Sequence, residues 1–171
     1  MKQFNIDYKV GKQSEADSLD DLNKIFNTEL IHDPENYAHF DFHNDDIMVE
    51  LKTRPDTYFE NGVMYNKSNY GIIEEIDDLI FDSIKMAFAY QHNKRLVNRG
   101  EKPKDFYLVW KCRGDYFYWK LNWDKQDYKL KNKCCDFGKG RREERDIVHV
   151  KLSAITAPCY IQHFERQLND P

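Results

Sequence analysis

His39-Phe40-Asp41-Phe42-His43-Asn44-Asp45-Asp46-Ile47-Met48-Val49-Glu50-Leu51-Lys52-Thr53-Arg54 is the stretch whose reading decides the fold. Asn44-Asp45 is strong turn chemistry between two runs of alternating residues, which predicts a tight β-hairpin. With those two residues as the loop, His43 faces Asp46, Phe42 faces Ile47, Asp41 faces Met48 and His39 faces Glu50. Side chains alternate along a strand. One face then carries Phe40, Phe42, Ile47, Val49 and Leu51, a core face. The other carries His39, Asp41, His43, Asp46, Glu50 and Lys52. Asp41 and Glu50 become diagonal neighbours, about 7 Å apart between Cα atoms, within reach of one shared divalent cation. Lys52 adds an ammonium at the next position on that face. Two acids and a lysine converging on a hairpin suit metal-assisted phosphodiester chemistry.

Outward from the hairpin, the N-terminal side reads as a short strand followed by a helix. Phe4, Ile6, Tyr8 and Val10 alternate with polar residues. Ser14 with Asp17 then gives a helix-start signal, and Leu19, Leu22, Phe26 and Leu30 form one stripe, so residues 15–30 are expected to be an amphipathic helix. His32-Asp33-Pro34-Glu35-Asn36 leads into the hairpin as a turn. On the other side, Pro55 and Asn61-Gly62 end the second strand near Arg54, and residues 55–71 read as loop with at most a short strand. Tyr58, Phe59, Tyr65 and Tyr70 with Lys67 in that segment suit either base stacking or cover for the core edge.

Ile73, Ile76, Ile80, Ile84, Ala87 and Phe88 mark a second long helix from about Ile72 into the nineties, stopped by Arg99-Gly100 and Pro103. Residues 105–111 and 116–121 are expected to be paired strands about the Arg113-Gly114-Asp115 turn. The polar stretch to Arg145 shows no apolar period and reads as a substrate-contacting loop. Residues 146–152 alternate as a strand, and residues 160–168 follow as a short helix.

At 171 residues with 40% hydrophobic and 15% aromatic content, the chain reads as one globular domain, 1–171. No apolar run approaches the roughly 20 residues of a membrane span, so a soluble, intracellular protein without a membrane partner is expected. Cys112, Cys134, Cys135 and Cys159 form no C-x-x-C pair and read as reduced thiols rather than a zinc site. Net charge is −4, but its distribution is uneven. Residues 1–50 hold twelve acids against four bases, whereas 125–142 hold seven bases against two acids. An acidic half beside a basic flank of Lys131, Lys133, Lys139, Arg141 and Arg142 fits a metal site next to a nucleic-acid interface, or an ordinary solvated loop.

Asp41 followed by Glu50-Leu51-Lys52 resembles the PD-(D/E)xK nuclease superfamily of restriction endonucleases, junction resolvases, and phage and viral nucleases. Phe40 stands where the motif's name has Pro. The resemblance implies an α/β (α+β) fold, a mixed β-sheet with flanking helices in an αβββαβ order. It implies an endonuclease of phage, viral or repair and recombination type, acting on DNA ahead of RNA, with a homodimer suited to cutting two strands. Asp41, Glu50 and the Leu51 backbone carbonyl would hold Mg²⁺ or Mn²⁺, and Lys52 would orient the attacking water and offset phosphate charge. The resemblance also brings in His39 as a third ligand, an acid from the first helix (Glu15 or Glu29), and Lys85 or Gln91 near the substrate phosphate.

Two other readings stay open: a non-catalytic nucleic-acid-binding module, and a protein-interaction domain in which the hairpin charges form a solvated cross-strand pair. No Ser-His-Asp arrangement or phosphate-cradling glycine loop is present in the sequence.

Overall fold

The computed structural model describes residues 2–33, 39–68, 70–113, 115–125, 127–136 and 142–156. In chain order the elements are α1 (Lys2–Phe26), β1 (Ile31–His32), β2 (Phe42–His43), β3 (Ile47–Arg54), β4 (Thr57–Glu60), β5 (Val63–Lys67), β6 (Ile73–Glu75), β7 (Asp78–Asp82), α2 (Ile84–Asn98), β8 (Asp105–Cys112), β9 (Asp115–Lys120), β10 (Tyr128–Asp136) and β11 (Arg142–Lys151). The fold is α+β. A five-stranded sheet runs β1-β2-β3-β8-β9, beside two three-stranded sheets, β10-β11-β7 and β4-β5-β6. β3 and β8 pair in parallel, Glu50 opposite Leu108 and Lys52 opposite Trp110; every other strand pairing among the described residues is antiparallel.

The central sheet is covered on both faces. Leu22 of α1 and Leu30 pack with Phe42, Val49, Leu51, Val109 and Tyr116 on one side. On the other, Phe40, Met48, Phe106, Leu108, Trp110 and Trp119 pack with Met86 and Ala89 of α2 and with Leu79, Phe81, Val148 and Val150 of the β10-β11-β7 sheet. Burial on two faces is what a parallel pair requires, because its crossover lays other elements over it. The face of β3 that carries Glu50 is therefore interior rather than open to water.

Several sequence expectations are corrected. The strand expected over Phe4–Val10 is the first part of α1, which runs without a break to Phe26. Residues spaced by two also sit four apart, Phe4 with Tyr8 and Ile6 with Val10, and so suit a helix, which once nucleated gains a hydrogen bond per residue. The helix stops before Leu30 because Asn27 is left-handed (φ 48°) and the Asn23 side chain accepts from the Leu30 N–H at 2.8 Å.

The long second helix is shorter than expected. Residues 73–75 and 78–82 are strands, and α2 begins only at Ile84. Ile73 is half exposed, so the supposed stripe was not a buried one. Arg99-Gly100 does end the helix, with Gly100 at φ 76°.

Residues 55–67 form a hairpin rather than a loop. Asn61 (φ 51°) and Gly62 (φ 84°) supply the two left-handed positions of a two-residue turn. The stretch between Leu121 and Arg145 holds most of a nine-pair antiparallel ribbon, Tyr128 opposite Val150 through Asp136 opposite Arg142. The turn at 34–36, the helix at 160–168 and Cys159 lie outside the described residues. Among the described residues no helix is long and apolar enough to cross a membrane.

Candidate active site

The expected hairpin forms, but with a wider loop. Phe42 pairs with Val49 and His43 with Met48, leaving Asn44–Ile47 as a four-residue turn. Asn44 builds it: its N–H donates to the Ile47 carbonyl at 3.0 Å, and its Oδ1 accepts from the Asp46 and Ile47 N–H groups, both at 2.9 Å. The Asn44 Nδ2 also donates to Thr28 Oγ1 at 2.8 Å and to the Glu29 carbonyl at 3.2 Å, pinning the turn to the end of α1. The register differs from the expected one by two residues, and an even shift leaves each side chain of β3 on its face. Phe40 is the exception. Residues 39–41 bend instead of extending β2, so Phe40 packs on the α2 side with Met48 and Phe106, away from Phe42.

Glu50 is 1% exposed. A carboxylate so buried needs compensation, and two ammoniums supply it. Lys52 Nζ donates to Oε1 at 2.5 Å, and Lys85 Nζ, from the second residue of α2, stands 2.8 Å from Oε2. The Lys85 approach lies off the hydrogen-bonding direction, so Oε2 has a counter-charge but accepts no hydrogen bond. Lys85 also donates to the His39 carbonyl at 3.2 Å, which draws the bend before Asp41 toward α2.

Asp41 sits beside this pair. Its N–H donates to the Val49 carbonyl at 3.1 Å, and its Oδ2 accepts from the Leu51 N–H at 2.7 Å. Burial pushes its pKa up to about 7; Glu50 adds to the rise and Glu15 adds more weakly, while the Leu51 N–H and Lys52 oppose it. Glu15 comes from α1, where it meets Lys12 at 2.8 Å and His32 Nε2 at 3.3 Å. One residue earlier on that helix, Ser14 Oγ bonds Thr53 Oγ1 at 2.8 Å, docking this turn against β3 next to Lys52.

The structure thus brings together Asp41, Glu50, Lys52 and Lys85, with Glu15 near enough to act on Asp41. Leu51 contributes its N–H. Glu29 lies beyond the end of α1 with its side chain exposed, and Glu15 is the acid of α1 whose charge acts on Asp41. The His39 ring is exposed and packs against Phe88, centroids 4.4 Å apart. It lines a separate cavity with His43, His92 and Lys104. Gln91 is exposed, and six residues of helix turn it away from the direction of Lys85. Lys131 and Lys133 are exposed on β10, remote in sequence from the hairpin. Lys139 and Arg141 lie outside the described residues, and Arg142 is described only as the first residue of β11.

Lys85 was approachable from the sequence only by analogy. Its spacing gives no sign that α2 starts one residue before it.

Among the described residues no set of three or more His, Cys, Asp or Glu side chains stands at metal-ligand spacing. Mg²⁺ does not need such a set, because it is commonly held by one or two carboxylates with water completing the octahedron. Asp41 and Glu50 fit that pattern. Glu50 raises the cost of a negative charge on Asp41, and Glu50 Oε2 has an unused hydrogen-bonding position. Comparison of the chain with protein-family models, with curated proteins and with solved structures gave no match.

Proposed function

We propose that the chain is a divalent-metal-dependent nuclease of the PD-(D/E)xK type, a DNA endonuclease in which Asp41, Glu50 and Lys52 are catalytic. The observation that carries the reading is the grouping itself: a buried Glu50 bonded to Lys52, with Asp41 close enough for the Glu50 carboxylate to raise its proton affinity. The element order around it, helix, hairpin, second helix and a strand returning parallel to β3, is similar to the superfamily's core, although β4–β7 intervene and the central sheet takes only two long strands from it.

Mg²⁺ or Mn²⁺ bound here would supply Lewis acidity for the phosphate and a more acidic water. Asp41 and Glu50 are the residues to hold it. Lys52, anchored on Glu50, would orient the attacking water and offset charge on the phosphate as it becomes pentacovalent. Lys85 adds a second ammonium from the N-terminal turn of α2, an end of the helix that itself favours anions.

A plasmid-cleavage assay with Mn²⁺ tests the reading. Wild type should nick supercoiled DNA, and Lys52→Ala should lose at least about 100-fold in rate, as removal of a transition-state donor does elsewhere, while keeping its circular dichroism spectrum. Full cleavage by a Glu50→Ala, Lys52→Ala double variant would sink it. A non-catalytic nucleic-acid-binding module is the second reading, and one observation favours it: Glu50 already has two ammonium partners, the closed arrangement of a structural ion pair. Salt-sensitive DNA binding with no turnover in Mg²⁺ or Mn²⁺ would select it.

A further inference from the structure

β10 sets Lys129, Lys131 and Lys133 at alternate positions, so all three share one face of the β10-β11-β7 sheet. The register extends this row across the sheet: Lys129 lies opposite His149 and then Ile80, and Lys131 opposite Ile147 and then Asp82. The row therefore advances toward the end of β7 from which α2 starts. Ser83 closes that corner by donating its N–H to the Asp146 carbonyl at 3.1 Å. Lys85, on Glu50, is two residues further on.

At the opposite end of the row a cavity of about 490 Å³ is lined by Lys129, Lys131 and Lys151, together with His149, Asp77 and Asp78. Three ammoniums there meet two carboxylates, one of them engaged: Asp78 Oδ2 holds His149 Nδ1 at 2.8 Å. The lysine face carries acids as well, Asp78, Asp82 and Glu143 among them. Glu144 and Asp146 fall on the other side with Asn132, while Arg145 is matched by Asp82 at 2.6 Å and Glu143 at 3.0 Å.

We propose that this face is a track for the sugar-phosphate backbone of DNA, with one phosphate met by each of Lys129, Lys131 and Lys151 and the strand led along Lys133 toward Lys85. The destination of the track rests on the nuclease reading; the binding does not. Successive lysines of the row stand about 6.8 Å apart along the strand. Ammoniums act on phosphate as point charges without reading bases, so binding along the track is indifferent to sequence.

The test is fluorescence anisotropy of the full chain with a labelled DNA duplex in EDTA, which separates binding from turnover, across a series of KCl concentrations. Each phosphate neutralised contributes about −0.9 to the slope of log affinity against log salt. Lys129→Ala, Lys131→Ala, Lys151→Ala together should flatten that slope by about 2.7 and weaken binding at fixed salt at least tenfold. Should the triple variant fail to fold, Lys129→Ala and Lys131→Ala singly should each flatten it by about 0.9.

An unchanged slope overturns the track. So does binding of inorganic phosphate, seen as a shift of the His149 ring resonances, without binding of the duplex, which would make the cavity a site for a free anion. A wild-type chain that binds with the expected slope but never cuts with Mn²⁺ would retire the nuclease reading and leave the track standing. A chain that cuts, with the triple variant binding and cutting equally well, does the reverse.

Discussion

Asp41 holds its proton far more tightly than an isolated aspartate, first because it is buried and then because Glu50 and Glu15 face it. The sign of the effect on stability follows. Between about pH 4 and pH 7 the folded chain keeps a proton that the unfolded chain has released, so the contribution of Asp41 to stability declines as pH rises through that window and is lowest above it. Asp41→Asn, which resembles the protonated acid, should therefore melt at a higher temperature than wild type at pH 8. That advantage should shrink toward pH 4, and thermal denaturation at the two pH values measures it; an equal gap at both would contradict the burial account. On the proposed reading Mn²⁺ would favour the deprotonated acid and oppose the same proton, so any binding near pH 7 should lose its proton release in Asp41→Asn.

Among the elements, the turn between β2 and β3 does the most to place these residues. Its four-residue loop depends on one side chain, since Asn44 accepts two backbone N–H groups within the turn and donates to two acceptors at the end of α1. Asn44→Ala should destabilise the fold by about 1–3 kcal/mol, because it leaves several of those groups unsatisfied. Urea denaturation reads this directly, and a change under about 0.5 kcal/mol, the ordinary range for a surface site, would mean that water replaces the side chain. The position of this hairpin was legible in the sequence because Asn44-Asp45 and the flanking alternation are local signals. Its loop length was not, since that depends on contacts with Thr28 and Glu29. β11 was legible from residue 146 onward, but β10 and the first residues of β11 were missed for a related reason. The ribbon's outer half extends past β7 with no strand beside it among the described residues, so apolar residues have no face to mark, and its period of two is written in Lys129, Lys131 and Lys133. Asn61-Gly62 was a full hairpin signal that Pro55 obscured.

For the molecule as a whole, the parallel pairing of β3 with β8 was the step beyond local reading. Nothing within residues 39–54 indicates that a strand more than fifty residues later will lie alongside, so the Glu50 face looked like a solvent face when it is interior. Once that face is covered, the grouping of Glu50, Lys52 and Lys85 follows from charge balance, and Lys85 enters through α2.

The row of lysines on β10 has a consequence separate from any ligand. Among the described residues β10 has β11 as its single strand neighbour, so its other side is an edge of the sheet. Lysines along such an edge keep copies apart, because a second strand could pair there only by stacking ammonium on ammonium. Leucine at all three positions, Lys129→Leu with Lys131→Leu and Lys133→Leu, should let chains add to one another edge to edge. The variant should then elute from a sizing column as large, concentration-dependent species where wild type gives one sharp peak, and an unchanged elution profile would show that the edge is guarded by something else.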